Sequence, residues 1–232
     1  MPLLDHFRLP VRARAAWPSV SGSWVHLVMA QLNATLPPQY AAQGRSHLGA
    51  EAEADISEFV APGKWLPPDA KGGVAVAPPL GRVETIVLDE FEVEVLDTVD
   101  DMRLVGVIEF VSPRNKDRPR ARRRLVSKCL AYLDLGVGLI LVDVVTSRTA
   151  NVHNELLAEL DESAELSLPQ GEPYLAGYRP SKDGDRWAID VWPYSVPLGT
   201  PMPAVPLAIK DGPLVPVDFE TAYMQALAVH RL

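Results

Sequence analysis

The chain has 232 residues, enough for one sizeable domain, and hydrophobic residues make up 47% of it, which excludes a disordered chain. With 30 acidic residues against 22 basic ones the formal net charge is −8, so a globally basic nucleic-acid binder is excluded but a local basic patch is not. The single cysteine excludes an internal disulfide framework. With no long apolar run and no leader-like start, the sequence predicts a cytoplasmic protein with no membrane association.

The first third of the chain is predicted to hold one helix and one strand. Ser19 or Ser21 is a suitable helix N-cap, apolar residues then recur at helical spacing, and Pro37 with Pro38 ends the helix. In chain order the predicted elements are an extended arm (1–18), a helix (about 19–36), a strand (51–59) and a long loop rich in proline and glycine (61–82).

The middle and end of the chain alternate strands and helices, which predicts an α/β (α+β) fold with a mixed central β-sheet flanked by helices. We expect a single domain: the arm, a core over 19–145, and an extension over 146–232 packed on that core. The remaining predicted elements are strands 84–97 and 103–111 in a hairpin, a helix 119–134, a strand 137–145, a helix 153–160, strands 174–178 and 187–191, a Pro-rich wrap 193–216, and a helix 219–232.

Glu109 is the most informative residue, because it interrupts a strand that is otherwise apolar on both faces. A lone buried carboxylate costs several kcal/mol unless it is paired, protonated or bound to a metal. A turn centred between Asp100 and Asp101 places Glu92 opposite Glu109, with their Cβ atoms about 5 Å apart. A divalent cation, a shared proton or a bridging Lys or Arg would each relieve the repulsion. The alternative for Glu109 alone is a structural pair with a nearby arginine.

Charge is strongly segregated on either side of that strand. Residues 84–101 carry eight acids and no base, whereas residues 114–128 carry eight bases and one acid. This predicts a phosphate-binding surface beside an acidic cluster, with a solvated, salt-bridged helix face as the alternative. Lys128 borders the apolar stripe of its helix and is expected to reach Glu109, whereas Cys129 on that stripe is expected to be core. The residues predicted to contact substrate are Ser112, Asn115, Lys116, Arg120, Arg123 and Arg124.

The segment Ile-Glu-Phe-Val-Ser-Pro-Arg-Asn-Lys at 108–116 resembles the core of a bacterial family of unknown function. Four further segments resemble that family, so the match runs over nearly the whole chain; they are 3–7, 36–40, 128–143 and 206–218. In its central strand–helix–strand the family is similar to restriction-endonuclease-like proteins of the PD-(D/E)XK superfamily.

The resemblance implies a mixed four-stranded sheet and a nuclease-like site that uses Mg²⁺ or Mn²⁺. Glu109 corresponds to the acid of the last motif. The motif's lysine position is Val111 here, and Lys128 matches a helix lysine that stands in for it. The first acid is either Glu92 or Asp55.

Three functional hypotheses follow. The first is a divalent-metal-dependent phosphodiesterase that grips nucleic acid through the basic segment 114–128. The second is a catalytically inactive nuclease-fold module that binds or regulates. The third is an interaction protein that docks a partner through its Pro-rich segment 193–216. The sequence is compatible with a homo-oligomer and does not specify one.

Overall fold

The structure is a computed structural model that describes residues 3–47, 90–160, 164–183 and 186–232. The predicted strand 51–59, the predicted loop 61–82 and the candidate acid Asp55 lie outside these residues, as do the first residues of the predicted strand 84–97.

The described residues form fifteen elements, which follow the alternation expected from the sequence. In chain order they are α1 (Val11–Arg14), α2 (Trp17–Thr35), β1 (Tyr40–His47), β2 (Glu90–Asp97), β3 (Arg103–Phe110), α3 (Pro113–Asp117), α4 (Pro119–Asp134), β4 (Gly138–Asp143), α5 (Val152–Glu159), a 3₁₀ turn (Ala164–Leu166), β5 (Tyr174–Asp183), β6 (Arg186–Ser195), β7 (Ala204–Ala208), β8 (Leu214–Asp218) and α6 (Phe219–Val229).

A six-stranded mixed sheet in the order β1-β2-β3-β4-β5-β6 forms the centre of the fold. Strands β3 and β4 are parallel and are joined through α3 and α4, whereas all other neighbours are antiparallel. The expected mixed sheet flanked by helices is therefore confirmed. The four strands implied by the resemblance are too few, because β5 and β6 continue the sheet and are twice as long as the strands predicted there.

The two faces of the sheet are covered by different helices, which follows from the alternation of its strands. In β2, Phe91, Val93 and Val95 face α2 and join the larger apolar cluster, while the intervening glutamates face the opposite side. That opposite side packs against α4, whose buried stripe includes Leu125 and Cys129. The expectation that Cys129 belongs to the core is confirmed.

Helix α2 begins earlier than predicted, and the predicted serine cap is wrong. Ala16 precedes the first helical residue, Trp17, and caps it without a side-chain hydrogen bond. Ser21 lies inside the helix, where its buried hydroxyl donates to the Trp17 carbonyl at 2.9 Å. The helix starts early because Pro18 suits its first turn. The arm before it is likewise not fully extended, since Val11–Arg14 form a short helix.

The Pro-rich wrap folds into a second, two-stranded sheet, β7–β8, that crosses the main sheet. A Cβ on Gly138 would lie 2.0 Å from the Ala208 carbonyl oxygen, so β7 approaches β4 where only a glycine fits. Helix α6 then packs on α2, with Phe219 edge-on to Trp24 at a centroid distance of 6.3 Å.

Candidate functional site

Two glutamates face each other across the β2–β3 hairpin. The register pairs Glu92 with Glu109, as the predicted turn position requires. Glu92 is 2% exposed and Glu109 is 1% exposed, so both carboxylates are removed from bulk water. Directly opposed positions share one face of the sheet, and here that face lies beneath α4.

Lys128 of α4 bridges the two carboxylates. Its Nζ donates at 2.8 Å to Oε2 of Glu92 and at 2.8 Å to Oε2 of Glu109, and its side chain keeps 21% exposure. The expectation that Lys128 reaches back over the sheet to Glu109 is therefore confirmed. The partner of Glu109 is this ammonium group, so the arginine alternative is wrong for that residue.

The electrostatics of the cluster favour a neutral Glu109. Burial raises the pKa of Glu109 to about 8, and the adjacent Glu92 carboxylate adds to this while Lys128 opposes it. For Lys128, burial alone would lower the pKa, but the two carboxylates outweigh it and raise the pKa above its usual range. With both acids ionised, the three groups would carry a net formal charge of −1, and one bound proton neutralises them.

One oxygen of this cluster has no hydrogen-bond partner. Oε1 of Glu109 is buried and accepts no hydrogen bond from any described residue. A buried carboxylate oxygen in that condition is satisfied by its own proton, by water or by a ligand.

Two further side chains, those of Tyr132 and Arg45, lie beside the cluster of Glu92, Glu109 and Lys128. Tyr132 lies one helical turn after Lys128, and its hydroxyl donates to Oε2 of Glu92 at 3.4 Å. Arg45 of β1 pairs with Glu94 at 3.1 Å and approaches Oε1 of Glu92 at 4.0 Å. Neither residue was predicted from the sequence. The i, i+4 spacing from Lys128 could have indicated Tyr132, but no local signal indicates Arg45, which is far from Glu92 along the chain.

The donor set can be compared with what a divalent cation requires. No group of three or more His, Cys, Asp or Glu side chains placed to hold a metal ion occurs within the described ranges. Mg²⁺, however, is commonly held by one or two carboxylates together with water and substrate phosphate. Glu92 and Glu109, the latter with its unpartnered oxygen, fit that smaller set. The alternative first acid, Asp55, lies outside the described residues.

The three residues after β3 that were predicted to bind substrate are buried. Ser112 caps α3 and exchanges hydrogen bonds with Asn115, whose backbone N–H donates to the serine hydroxyl at 3.2 Å. Lys116 donates at 2.8 Å to Oδ2 of the fully buried Asp143 and at 3.2 Å to the carbonyl of Val145. These contacts fasten α3 to the end of β4. A role for the three residues in substrate binding stays a prediction.

The arginines of α4 divide into two groups. Arg120, Arg123 and Arg124 are exposed on the helix that carries Lys128. Arg122 instead donates to Glu155 of α5 at 2.6 Å. Arg122 is therefore part of a structural ion pair, whereas Arg120, Arg123 and Arg124 form an outward cationic face.

A buried histidine contributes to the structure on the same side of the sheet. His153 contacts the hydroxyl of Tyr178 through Nδ1 and the carbonyl of Leu166 through Nε2 at 2.8 Å. Helix α5, on which it lies, is capped by the Asn151 side chain, which accepts from the Asn154 N–H at 3.1 Å.

The chain was compared with family models, curated proteins and solved structures, and nothing in any of the three sets matches it. Within the described part of the chain, no helix combines the length and apolar character required to cross a membrane.

Proposed function

We propose that the protein is a divalent-metal-dependent phosphodiesterase acting on nucleic acid, with a PD-(D/E)XK-like site formed by Glu92, Glu109 and Lys128. The observation that carries the proposal is the pair of buried carboxylates on adjacent strands, one with an unpartnered oxygen, that share a single lysine. The antiparallel hairpin followed by a helical crossover to a parallel strand supports a restriction-endonuclease-like core.

Each residue has a role that its position supports. Glu92 and Glu109 would hold Mg²⁺ or Mn²⁺, which when bound lowers the pKa of a coordinated water and offsets phosphate charge. Oε1 of Glu109 has no competing hydrogen bond among the described residues and is the first oxygen available as a ligand. Lys128, partly exposed and at the mouth of the pair, would neutralise the charge that develops on a phosphate.

The partner is inferred from the same helix. Arg120, Arg123 and Arg124 face solvent on α4, and guanidinium groups form bidentate hydrogen bonds with phosphate. A nucleic-acid backbone lying along this face would pass close to Lys128. This local patch lets an overall acidic chain bind a polyanion.

One observation favours a second candidate, the catalytically inactive module. The ammonium of Lys128 already satisfies one oxygen of each glutamate at 2.8 Å. A lysine that stays there supplies the positive charge that a metal would otherwise supply. Such a protein would bind nucleic acid without cleaving it, and chelators would not affect the binding.

The test is nuclease activity on single- and double-stranded substrates with Mg²⁺, with Mn²⁺ and with EDTA. We expect cleavage only with metal, and a loss of at least about 100-fold in Glu109→Gln, since even residues that merely support metal ligands contribute about 10- to 100-fold. Glu94→Gln is the matched control, because Glu94 lies on the same face of β2 but pairs with Arg45. It should retain activity.

Calorimetric titration with each metal separates the two candidates. Metal binding at millimolar concentration by the wild type, lost in Glu109→Gln while the circular dichroism spectrum is unchanged, supports the enzyme. Chelator-insensitive nucleic-acid binding, with no metal binding and no cleavage, supports the inactive module and overturns the enzyme.

A further inference from the structure

A cavity of about 590 Å³ lies apart from the glutamate pair, at the place where the chain leaves β3 and β4. Ser112, just after β3, and Ser147, after β4, line it together with residues of the N-terminal arm. The two strands are parallel, so their carboxyl ends share one edge of the sheet, which is where open α/β sheets commonly bind ligands. The volume is typical of small-molecule sites.

The charged residues that line this cavity are all basic. Arg12 comes from α1, Arg114 from α3 and Arg148 from the segment after β4. Arg148 also pairs with Asp117 at 2.8 Å, but no described residue of the lining is acidic. Arginines that line one cavity from three separate segments favour an anionic ligand with several oxygens, such as a phosphate.

Two buried ring nitrogens in the lining have no partner among the described residues: Nδ1 of His6 and Nε1 of Trp17. The residues are 1% and 8% exposed. The indole nitrogen is always a donor. Buried donors are rarely left unpaired, so these two need an acceptor, which ordered water or a ligand bound in the cavity would supply.

The hydrogen bonds of His6 indicate that its free nitrogen is also a donor. Tyr223 accepts from the Leu4 N–H at 3.0 Å, and its hydroxyl lies 2.7 Å from Nε2 of His6. The Tyr223 hydroxyl already accepts from Leu4, and its own proton finds an acceptor if Tyr223 donates to Nε2 of His6. The proton of the neutral imidazole ring then lies on Nδ1. Burial lowers the pKa of His6 to about 4, so the ring is neutral at pH 7. Both unpartnered ring nitrogens, which belong to residues of the lining, are therefore neutral N–H donors.

The remaining wall is aromatic. Phe7 and Phe91 line the cavity with Trp17, and the rings of Phe7 and Trp17 are 5.3 Å apart in a tilted arrangement. Aromatic walls are suited to a planar ring, and bases pack on such side chains with little preference for sequence. The geometry points to a nucleotide-binding site in which the arginines and the two ring N–H groups hold the phosphate and the aromatic residues hold the base. The phosphate could belong to a free mononucleotide or to the 5′ end of a strand.

The experiment is calorimetric titration of the full chain in EDTA, so that its outcome does not depend on the metal site proposed above. The probes are adenosine monophosphate, adenosine, inorganic phosphate, and a short oligonucleotide with and without a 5′-phosphate. The variants are Arg12→Gln and Trp17→Phe, the second of which keeps an aromatic ring but removes the N–H. Arg14→Gln is the matched control, because Arg14 is exposed on the same short helix but does not line the cavity.

We expect the monophosphate to bind at least about tenfold more tightly than adenosine or inorganic phosphate, since a charge-assisted hydrogen bond contributes about that factor. Arg12→Gln should weaken binding about tenfold and Trp17→Phe about fivefold, with Arg14→Gln within about twofold of wild type. Binding of the 5′-phosphorylated oligonucleotide alone also supports the site and identifies a strand end as its ligand.

Three results would overturn the site. They are no binding of either phosphorylated probe at about 5 mM, equal affinity for the phosphorylated and unphosphorylated forms, and unchanged affinity in Arg12→Gln. Because Arg12 is exposed, its variant tests the site even if Trp17→Phe fails to fold.

Discussion

Three ionisable side chains share one small volume between the sheet and α4. Glu92 and Glu109 come from strands and Lys128 comes from a helix, so the fold itself fixes their mutual distances. Two carboxylates and one ammonium in a desolvated space favour one additional proton, and the raised pKa of Glu109 expresses that preference. In the proposed enzyme, a divalent cation would take the place of that proton.

The raised pKa predicts how stability depends on pH. Burial, aided by Glu92, raises the pKa of Glu109 from 4.5 to about 8 in the folded chain. Between these values the folded chain holds a proton that the unfolded chain has released, so the contribution of Glu109 to stability falls as pH rises through this window. Urea denaturation in EDTA from about pH 5 to about pH 9 should show the unfolding free energy of wild type declining relative to Glu109→Gln.

Glu109→Gln is the reference because it stays neutral throughout that range. The prediction is contradicted if the unfolding free energy of wild type minus that of the variant stays constant with pH. It is also contradicted if this quantity becomes more positive as pH rises. Glu94→Gln should show the wild-type pH dependence.

At this scale the sequence predicted a pair and a bridge, because hairpin register and helix spacing are local properties. The turn near Asp100 determined that Glu92 faces Glu109, and the position of Lys128 beside the apolar stripe indicated its direction. Arg45 could not be predicted in the same way, because β1 and β2 are separated by more than forty residues and their register has no local signal.

Elements in this fold meet at close distances that glycines make possible. Gly106, Gly138 and Gly177 lie on β3, β4 and β5, and a Cβ added to any of the three would meet atoms of β7 or its neighbours. For Gly106 the nearest atom is the flexible Cδ1 of Ile209 at 3.3 Å, whereas for Gly138 it is backbone. The crossing of β7 over the sheet is therefore tightest at β4.

We predict that Gly138→Ala destabilises the protein by at least about 3 kcal/mol, because the Ala208 backbone cannot move without displacing β7. Gly106→Ala is the matched control and should cost about 1 kcal/mol, since the Ile209 side chain can rotate away. Urea denaturation of the two variants measures both values, and equal costs would contradict the tight crossing.

The predicted bounds of an element were most accurate where the residue types at both of its ends signal a start and a stop. Helix α4 runs from Pro119 to Asp134 as predicted, since the proline suits its first turn and Gly136 adopts a positive φ of 75° after its end. Strands β7 and β8 were not predicted, because Pro206 and Pro216 face each other within them and made the segment resemble a wrap. Prolines are tolerated in such short ribbons because each strand has free edges.

On the scale of the whole molecule, one sheet separates two apolar clusters. The larger lies between the sheet, α2, α6 and β7–β8, and the smaller between the sheet, α4 and α5. Both clusters use residues of β3, β4 and β5, so neither persists if those strands separate. The fold class could be predicted from the order of strands and helices, but the crossing of β7–β8 over the sheet depends on contacts distant in sequence.

This shared sheet predicts a single cooperative unfolding transition. In urea, the far-ultraviolet circular dichroism and the tryptophan fluorescence, to which the buried Trp24 of the larger cluster contributes, should change with the same midpoint and slope. Separate transitions would show that one cluster unfolds alone, and would contradict the expectation of a single domain.

Burying Lys128 and the two glutamates together also has a cost in folding stability. Desolvating three ionisable groups is expensive, and a trio of leucine and methionine side chains of similar volume would ordinarily make an interior at least as stable. An arrangement that forgoes this gain resembles those kept for reactivity at the expense of rigidity. Beneath α4, ionisable side chains thus occupy a volume that apolar side chains could have filled.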